Sequence, residues 1–161
     1  WLDGGAPFYR TYECADGKFV SVGALEPQFF AQLVDLAGRP PDEKPNQYDE
    51  KLWQPRRESY AKLFATKTRA EWTEIFEGSD ACVGPVLSWS EAPEHPHMKA
   101  RGVFAEVNGV TQVTPAPRFD RTPPGPVGQP PAPGADTDSV LAELGYDADM
   151  IANLRERGVL S

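Results

Sequence analysis

The sequence predicts an α+β fold: a small domain of antiparallel β-hairpins and packed helices, then an extended Pro-rich arm and two short C-terminal helices. Three observations predict it. Short extended runs flank Asp16-Gly17 and Asn108-Gly109, and both dipeptides favour tight hairpin turns. Between the hairpins the apolar residues fall at helical spacing, punctuated by Gly and Pro. From Thr114 to Ala135, Pro and Gly displace apolar side chains, so that stretch has no core of its own.

Leu2–Pro7 (LDGGAP) reads as a loop. Phe8–Ala15 and Lys18–Ala24 form the first hairpin; Val20, Val22 and Ala24 alternate with Ser21 and Gly23, the period of a half-buried strand. Pro27–Ala37 is an amphipathic helix. Pro27 suits its first position, and Gly38 suits the residue just past its end. Arg39–Asn46 is a connector. Asp49–Thr66 has helical periodicity that Pro55 splits or restarts. Thr68 and Glu71 form a capping box ahead of Trp72, Ile75 and Phe76. A short extended run lies within Ala81–Trp89, and helical turns follow near Ser90–Glu94 and Pro96–Arg101. Val103–Val107 and Val110–Val113 flank the Asn108-Gly109 turn. The last helices run near Asp138–Leu144 and Ala148–Arg157, the second capped by Asp147. Two helices that short cannot build an independent core and need a surface on which to dock.

At 161 residues the chain suffices for one domain with a core, or for a small domain plus an arm. A formal charge of −8 argues against a general nucleic-acid binder. No apolar run approaches the ~20 residues that span a bilayer, and no signal peptide is visible. Cys14 and Cys82 lack CxxC spacing and are expected to be two buried free thiols in a reducing compartment. The sequence opens on Trp1 rather than Met and enters structure at once, so it is expected to be a piece of a longer protein.

Glu26 is the leading candidate for chemistry. It lies where the second strand turns into a helix, beside unpaired backbone N–H groups and the positive end of the helix dipole. The bland reading is a carboxylate that stabilises the helix start; the functional one is a fixed acceptor that orients a histidine. Gly4 and Gly5 read as an ordinary turn or as a loop over a ligand. Tyr9 reads as a strand aromatic against the core or as a pocket wall. His95 and His97 suggest a metal pair, but third and fourth ligands are not evident, so no metal site is assigned. Arg56, Arg57, Lys62, Lys67 and Arg69 read as a solvated helix face, or as a group of which one meets a phosphate.

Several separated blocks carry a family resemblance: TYECADGKF and GALEPQFF, then AEWTEIFEGSDACVGPVLSWSEA, HPHMKARGVF and PAPRF. In that order they resemble the α-methylacyl-CoA racemase branch of the type III CoA-transferase family, over roughly the C-terminal half of such a protein. The resemblance implies that residues 1–113 are the small domain. Residues 114–161 would then be an arm and helices docking on a missing large, CoA-binding domain. It implies a racemase interconverting (2R)- and (2S)-2-methylacyl-CoA, in the cytoplasm, with the CoA thioester as substrate and no separate cofactor. Glu26 would hydrogen-bond a catalytic histidine in the missing half. Tyr9, Gly4 and Gly5 would contact substrate, and the Gly-Gly loop is shorter than the glycine run of the transferases. The catalytic histidine and aspartate lie outside this chain, so it is expected to be inactive alone. The full protein is expected to be an interlocked homodimer, without nucleic-acid or membrane partners. The alternatives are a type III CoA-transferase moving CoA between carboxylic acids, or a non-enzymatic interaction module using its Pro-rich arm.

Overall fold

The first hairpin closes by a different route from the second. In this computed structural model, which describes residues 1–160, β1 (Tyr9–Glu13) and β2 (Phe19–Gly23) pair antiparallel, with Tyr12 opposite Val20 and Tyr9 opposite Gly23. The Gly17 N–H donates to the Cys14 carbonyl (3.0 Å) and the Cys14 N–H to the Lys18 carbonyl (2.7 Å). Gly17 sits at φ +72°, so the loop has three residues and ends in a glycine bulge. At the second hairpin, β4 (Phe104–Val107) and β5 (Val110–Val113), Asn108 and Gly109 both take positive φ, 51° and 79°. That is the two-residue type I′ geometry the dipeptide favours.

The chain divides into two compact units, Trp1–Ala92 and Pro93–Ser161. The division falls ahead of the second hairpin, whereas the sequence-based boundary followed it. The first unit holds a three-stranded antiparallel sheet in the order β1-β2-β3, where β3 (Val83–Pro85) pairs Val22 with Val83 and Val20 with Pro85. Strand alternation sorts the side chains. Tyr12, Val20 and Val22 are buried toward helices α1 (Pro27–Leu36), α2 (Trp53–Phe64) and α3 (Arg69–Phe76). Thr11 and Ser21 are exposed on the other side.

An aromatic column forms the core of this unit. Tyr12, Tyr60 and Phe64 stack face to face or tilted, and Phe64 meets Trp72 edge-on at 5.0 Å. Each buried polar tip finds a partner: Tyr12 Oη donates to the Pro7 carbonyl (2.6 Å) and Trp72 Nε1 to the Phe64 carbonyl (2.8 Å). Burial raises both the Tyr12 and the Tyr60 hydroxyl pKa.

The helix ends follow the sequence closely. Past the end of α1, the Gly38 N–H reaches the Asp35 carbonyl and the Arg39 N–H the Val34 carbonyl, a Schellman closure with Gly38 at φ +64°. Both halves of the Thr68/Glu71 capping box are present at α3. Pro55 does not break α2. A 3₁₀ turn at Glu50–Leu52 leads into the helix, and Pro55 falls in the first turn, where its missing N–H costs no intrahelical bond.

The second unit holds α4 (Pro96–Ala100), the second hairpin, α5 (Thr137–Glu143) and α6 (Ala148–Glu156). No helix or strand forms between Val113 and Thr137. Arg118 pins the start of that stretch, donating to the Arg101 and Gly102 carbonyls. Asp147 caps α6 by accepting the Met150 N–H (2.9 Å). Among the described residues, Ile151 is the one buried apolar side chain of this unit, while Phe119, Leu144 and Met150 are exposed. No helix among the described residues is long and apolar enough to cross a membrane.

Candidate functional site

Glu26 is the N-cap residue of α1, extended at φ −78° and ψ 144°, with Pro27 in the first helical position. Its carbonyl accepts the Phe29 and Phe30 N–H groups at 3.0 and 2.9 Å. Its side chain makes no capping bond, is exposed, and enters no ion pair or hydrogen bond among the described residues. A short carboxylate such as Asp caps a helix by folding back; the longer Glu26 projects outward instead.

The backbone ahead of Glu26 is held firmly. Gln47, buried at 1% exposure, donates Nε2 to the Ala24 carbonyl (3.1 Å) and the Leu25 carbonyl (2.8 Å). Tyr48 Oη donates to the same Leu25 carbonyl at 2.8 Å. Gln47 is fixed in turn by Trp53 Nε1, which donates to its carbonyl at 3.0 Å. The Trp1 ring stacks on Tyr48 with centroids 4.8 Å apart and planes 9° from parallel.

A concavity of about 630 Å³ opens beside this junction, on the helix-free side of the sheet. Leu2, Gly4, Tyr9, Ser21, Gly23 and Cys82 contribute to its wall. Tyr9 is half-buried and lies across Gly23; a β-carbon added at Gly23 would sit 3.9 Å from its ring. Gly4 adopts φ +88°, a left-handed conformation, and lines the concavity. Gly5 does not line it. Gly5 anchors the loop from behind, donating to Asp3 Oδ1 (2.8 Å) and accepting Arg57 Nη1 at its carbonyl (2.7 Å). The bond from the Gly5 N–H holds the Asp3 carboxyl below the usual carboxylate range.

Cys82 departs from the sequence expectation. Both cysteines are free and Cys14 is buried, but Cys82 is exposed at the rim of the concavity, with φ +52°. Partial desolvation raises its thiol pKa, and the negative charges of Glu26 and Asp80 push the same way. Glu26 therefore lies within electrostatic reach of the concavity although it does not line it. Nothing in the residue order marks Cys82: a left-handed cysteine just ahead of a strand has no sequence signature. Gln47 and Tyr48 were equally silent, because their role depends on carbonyls more than 20 positions away.

The remaining candidates serve the fold. Arg56 Nη1 donates to the Asn46 carbonyl and Arg57 to Gly5, while Arg69 binds Glu91 through both terminal nitrogens (3.0 and 2.7 Å). Lys67 lies over the Trp72 ring at 5.7 Å. His95 is the N-cap residue of α4. Among the described residues, no three His, Cys, Asp or Glu side chains gather in a group that would hold a metal ion.

The comparisons with known proteins agree on one assignment. Residues 2–137 match the profile of CoA-transferase family III. The chain is 44% identical over 155 residues to mouse alpha-methylacyl-CoA racemase, covering 95% of this chain and 41% of the relative. It is 43% identical over 162 residues to the human alpha-methylacyl-CoA racemase, covering 99% and 42%. The chain thus spans about two fifths of the length of these relatives. Among solved structures, a crystal form of Rv3272 from Mycobacterium tuberculosis superposes with a TM-score of 0.62 at 18% identity, over 81% of this chain and 37% of that one. That likeness concerns the fold alone. Fold, motif order and sequence profile together place this chain in CoA-transferase family III.

Proposed function

We propose that this chain is part of a racemase that interconverts (2R)- and (2S)-2-methylacyl-CoA thioesters by exchanging the α-proton. The observation that carries the reading is Glu26: an exposed carboxylate with no hydrogen-bond or ion-pair partner among the described residues, on rigidly held backbone, beside a concavity lined by Gly4 and Tyr9. The 44% and 43% identities to the mouse and human racemases support the choice of reaction.

The chemistry is a balanced proton exchange. A base on one face removes the proton from the α-carbon, and the electron pair spreads onto the thioester carbonyl oxygen as an enolate. An acid on the other face then returns a proton to the same carbon, which inverts it. The thioester lowers the barrier, and oriented donors stabilise the developing oxyanion. In this reading a histidine and an aspartate outside this chain alternate as base and acid, and the step requires neither metal nor redox cofactor. Glu26 accepts the second ring N–H of that histidine, fixing its tautomer and orientation as the carboxylate of a catalytic triad does. Tyr9 and Gly4 face the acyl group, and Gly5 holds their loop against α2.

The chain contains neither member of the acid–base pair and is inactive alone in this reading. Residues 114–161 dock on the larger remainder of the protein, which covers apolar groups such as Phe119, Leu144 and Met150. The whole protein works as an interlocked homodimer in the cytoplasm.

The test follows α-proton exchange of a 2-methylacyl-CoA into deuterated water, catalysed by the full-length protein that carries this chain. Glu26→Gln should slow exchange on the order of 10²-fold, with CoA binding and thermal midpoint unchanged. An unchanged rate would reduce Glu26 to a helix-start residue. CoA transfer between carboxylates without any α-exchange would replace the racemase by the transferase.

A further inference from the structure

We propose that Tyr48, together with Gln47, is a positioning residue for Glu26; the inference rests on the racemase reading above. The two side chains place three donor contacts on the two carbonyls that immediately precede Glu26. Gln47 Nε2 reaches the Ala24 and Leu25 carbonyls at 3.1 and 2.8 Å, and Tyr48 Oη reaches the Leu25 carbonyl at 2.8 Å. The Leu25 N–H closes a tight turn onto the Gly23 carbonyl at 2.8 Å. The peptide carrying the Glu26 N–H is therefore held at its carbonyl oxygen by two donors, and Pro27 fixes the backbone on the other side.

Such a grip answers a specific need. A carboxylate that orients a partner's imidazole acts through an angle and a distance, and a shift of under 1 Å at its backbone is enough to spoil both. Glu26 cannot obtain that precision from its own side chain, which makes no hydrogen bond or ion pair among the described residues. Precision has to come from the backbone. The connector supplies it: Trp53 Nε1 holds the Gln47 carbonyl at 3.0 Å, and the Trp1 ring stacks on Tyr48 at 4.8 Å. Gln47 is packed at 1% exposure, whereas Tyr48 is 40% exposed. The Tyr48 hydroxyl is therefore the member of the clamp that can be removed without opening the core.

The experiment is a double-mutant cycle in the full-length protein, using α-proton exchange of a 2-methylacyl-CoA. Tyr48→Phe keeps the stacked ring and deletes one hydrogen bond. It should lower kcat about fivefold with KM unchanged, and lower the thermal midpoint by no more than the loss of one hydrogen bond explains. In a Glu26→Gln background the same change should have no further effect, because the residue it positions no longer acts. Gln47→Leu, with its fold verified by circular dichroism, should lose more than Tyr48→Phe and be equally silent in that background. Three results would overturn the proposal while leaving the racemase reading in place: an unchanged kcat in Tyr48→Phe when Glu26→Gln is slow, a rise in KM alone, or equal losses in both backgrounds. A fast Glu26→Gln enzyme, or a parent without any exchange, would instead remove the reading on which the proposal rests, and the proposal with it.

Discussion

Replacing Glu43 with alanine should be the most damaging single charge deletion in the first unit. Glu43 is a carboxylate at 7% exposure. Its Oε1 accepts Arg39 Nη2 at 2.5 Å, and its Oε2 accepts the Tyr60 hydroxyl at 3.1 Å. Arg39 also donates Nη1 to Ser59 Oγ at 2.8 Å and stacks over the Tyr60 ring at 4.7 Å. Deleting the carboxylate leaves a guanidinium whose side chain is 15% exposed without a counter-charge, and a buried hydroxyl without an acceptor. Breaking one side of such a pair costs about 3–5 kcal/mol. That is a large share of the ~5–15 kcal/mol that holds a typical domain together. The measurement is urea unfolding at neutral pH, read by the fluorescence of buried Trp53 and Trp72. Arg39→Met combined with Glu43→Leu should recover most of the loss, because a buried ion pair gains little over apolar packing of similar volume. Arg39 Nε already lacks a partner, which weakens the pair's own case. A loss below about 1 kcal/mol for Glu43→Ala would refute the reasoning, as would a double variant no more stable than the single one.

Other perturbations probe single terms. Bonds from Arg69, Lys18 and the Ser88 N–H lower the Glu91 pKa, so its stabilisation is present above the ordinary carboxylate range and is lost as pH falls below it. Glu91→Gln should therefore lower the melting point at pH 7 and flatten its decline on acidification; an unchanged acid limb would show that the cluster does not couple to folding. Thr68→Ala should cost about 1 kcal/mol through the lost capping box, a fall of ~4–8 °C in Tm for a unit of this size. Gly38→Ala meets nothing within 4 Å, so any loss in urea unfolding reports only the left-handed backbone, ~1 kcal/mol.

Local rules carried most of the fold. Asn108-Gly109, Pro27, Gly38, Thr68 with Glu71, and Asp147 each act within a few residues, and each took the turn or cap that its chemistry favours; Asp16-Gly17 also turned the chain, through a three-residue loop. The exposed Cys82 did not follow, because its exposure depends on packing that the residue order does not express. The candidate site divides the same way. The placement of Glu26 at the start of a helix was legible because a carboxylate before Pro at a strand–helix junction is a local pattern. Gln47 and Tyr48 were not, since a connector side chain reaching back across 22 or 23 positions leaves no periodicity to read.

The three-stranded sheet packs its helices on one side only, and alternation along β1 and β2 gives each side its own set of residues. Tyr12, Val20 and Val22 answer to the aromatic column, so exchanges there are judged by folding. Thr11 and Ser21 line the concavity and lie outside the core cluster, whereas Tyr9 lines it and also packs against that cluster. Substitutions at Thr11 and Ser21 can therefore reshape the concavity almost without touching the stability reserve. A search for variants with an altered concavity would do best to randomise those two positions and leave their immediate neighbours alone.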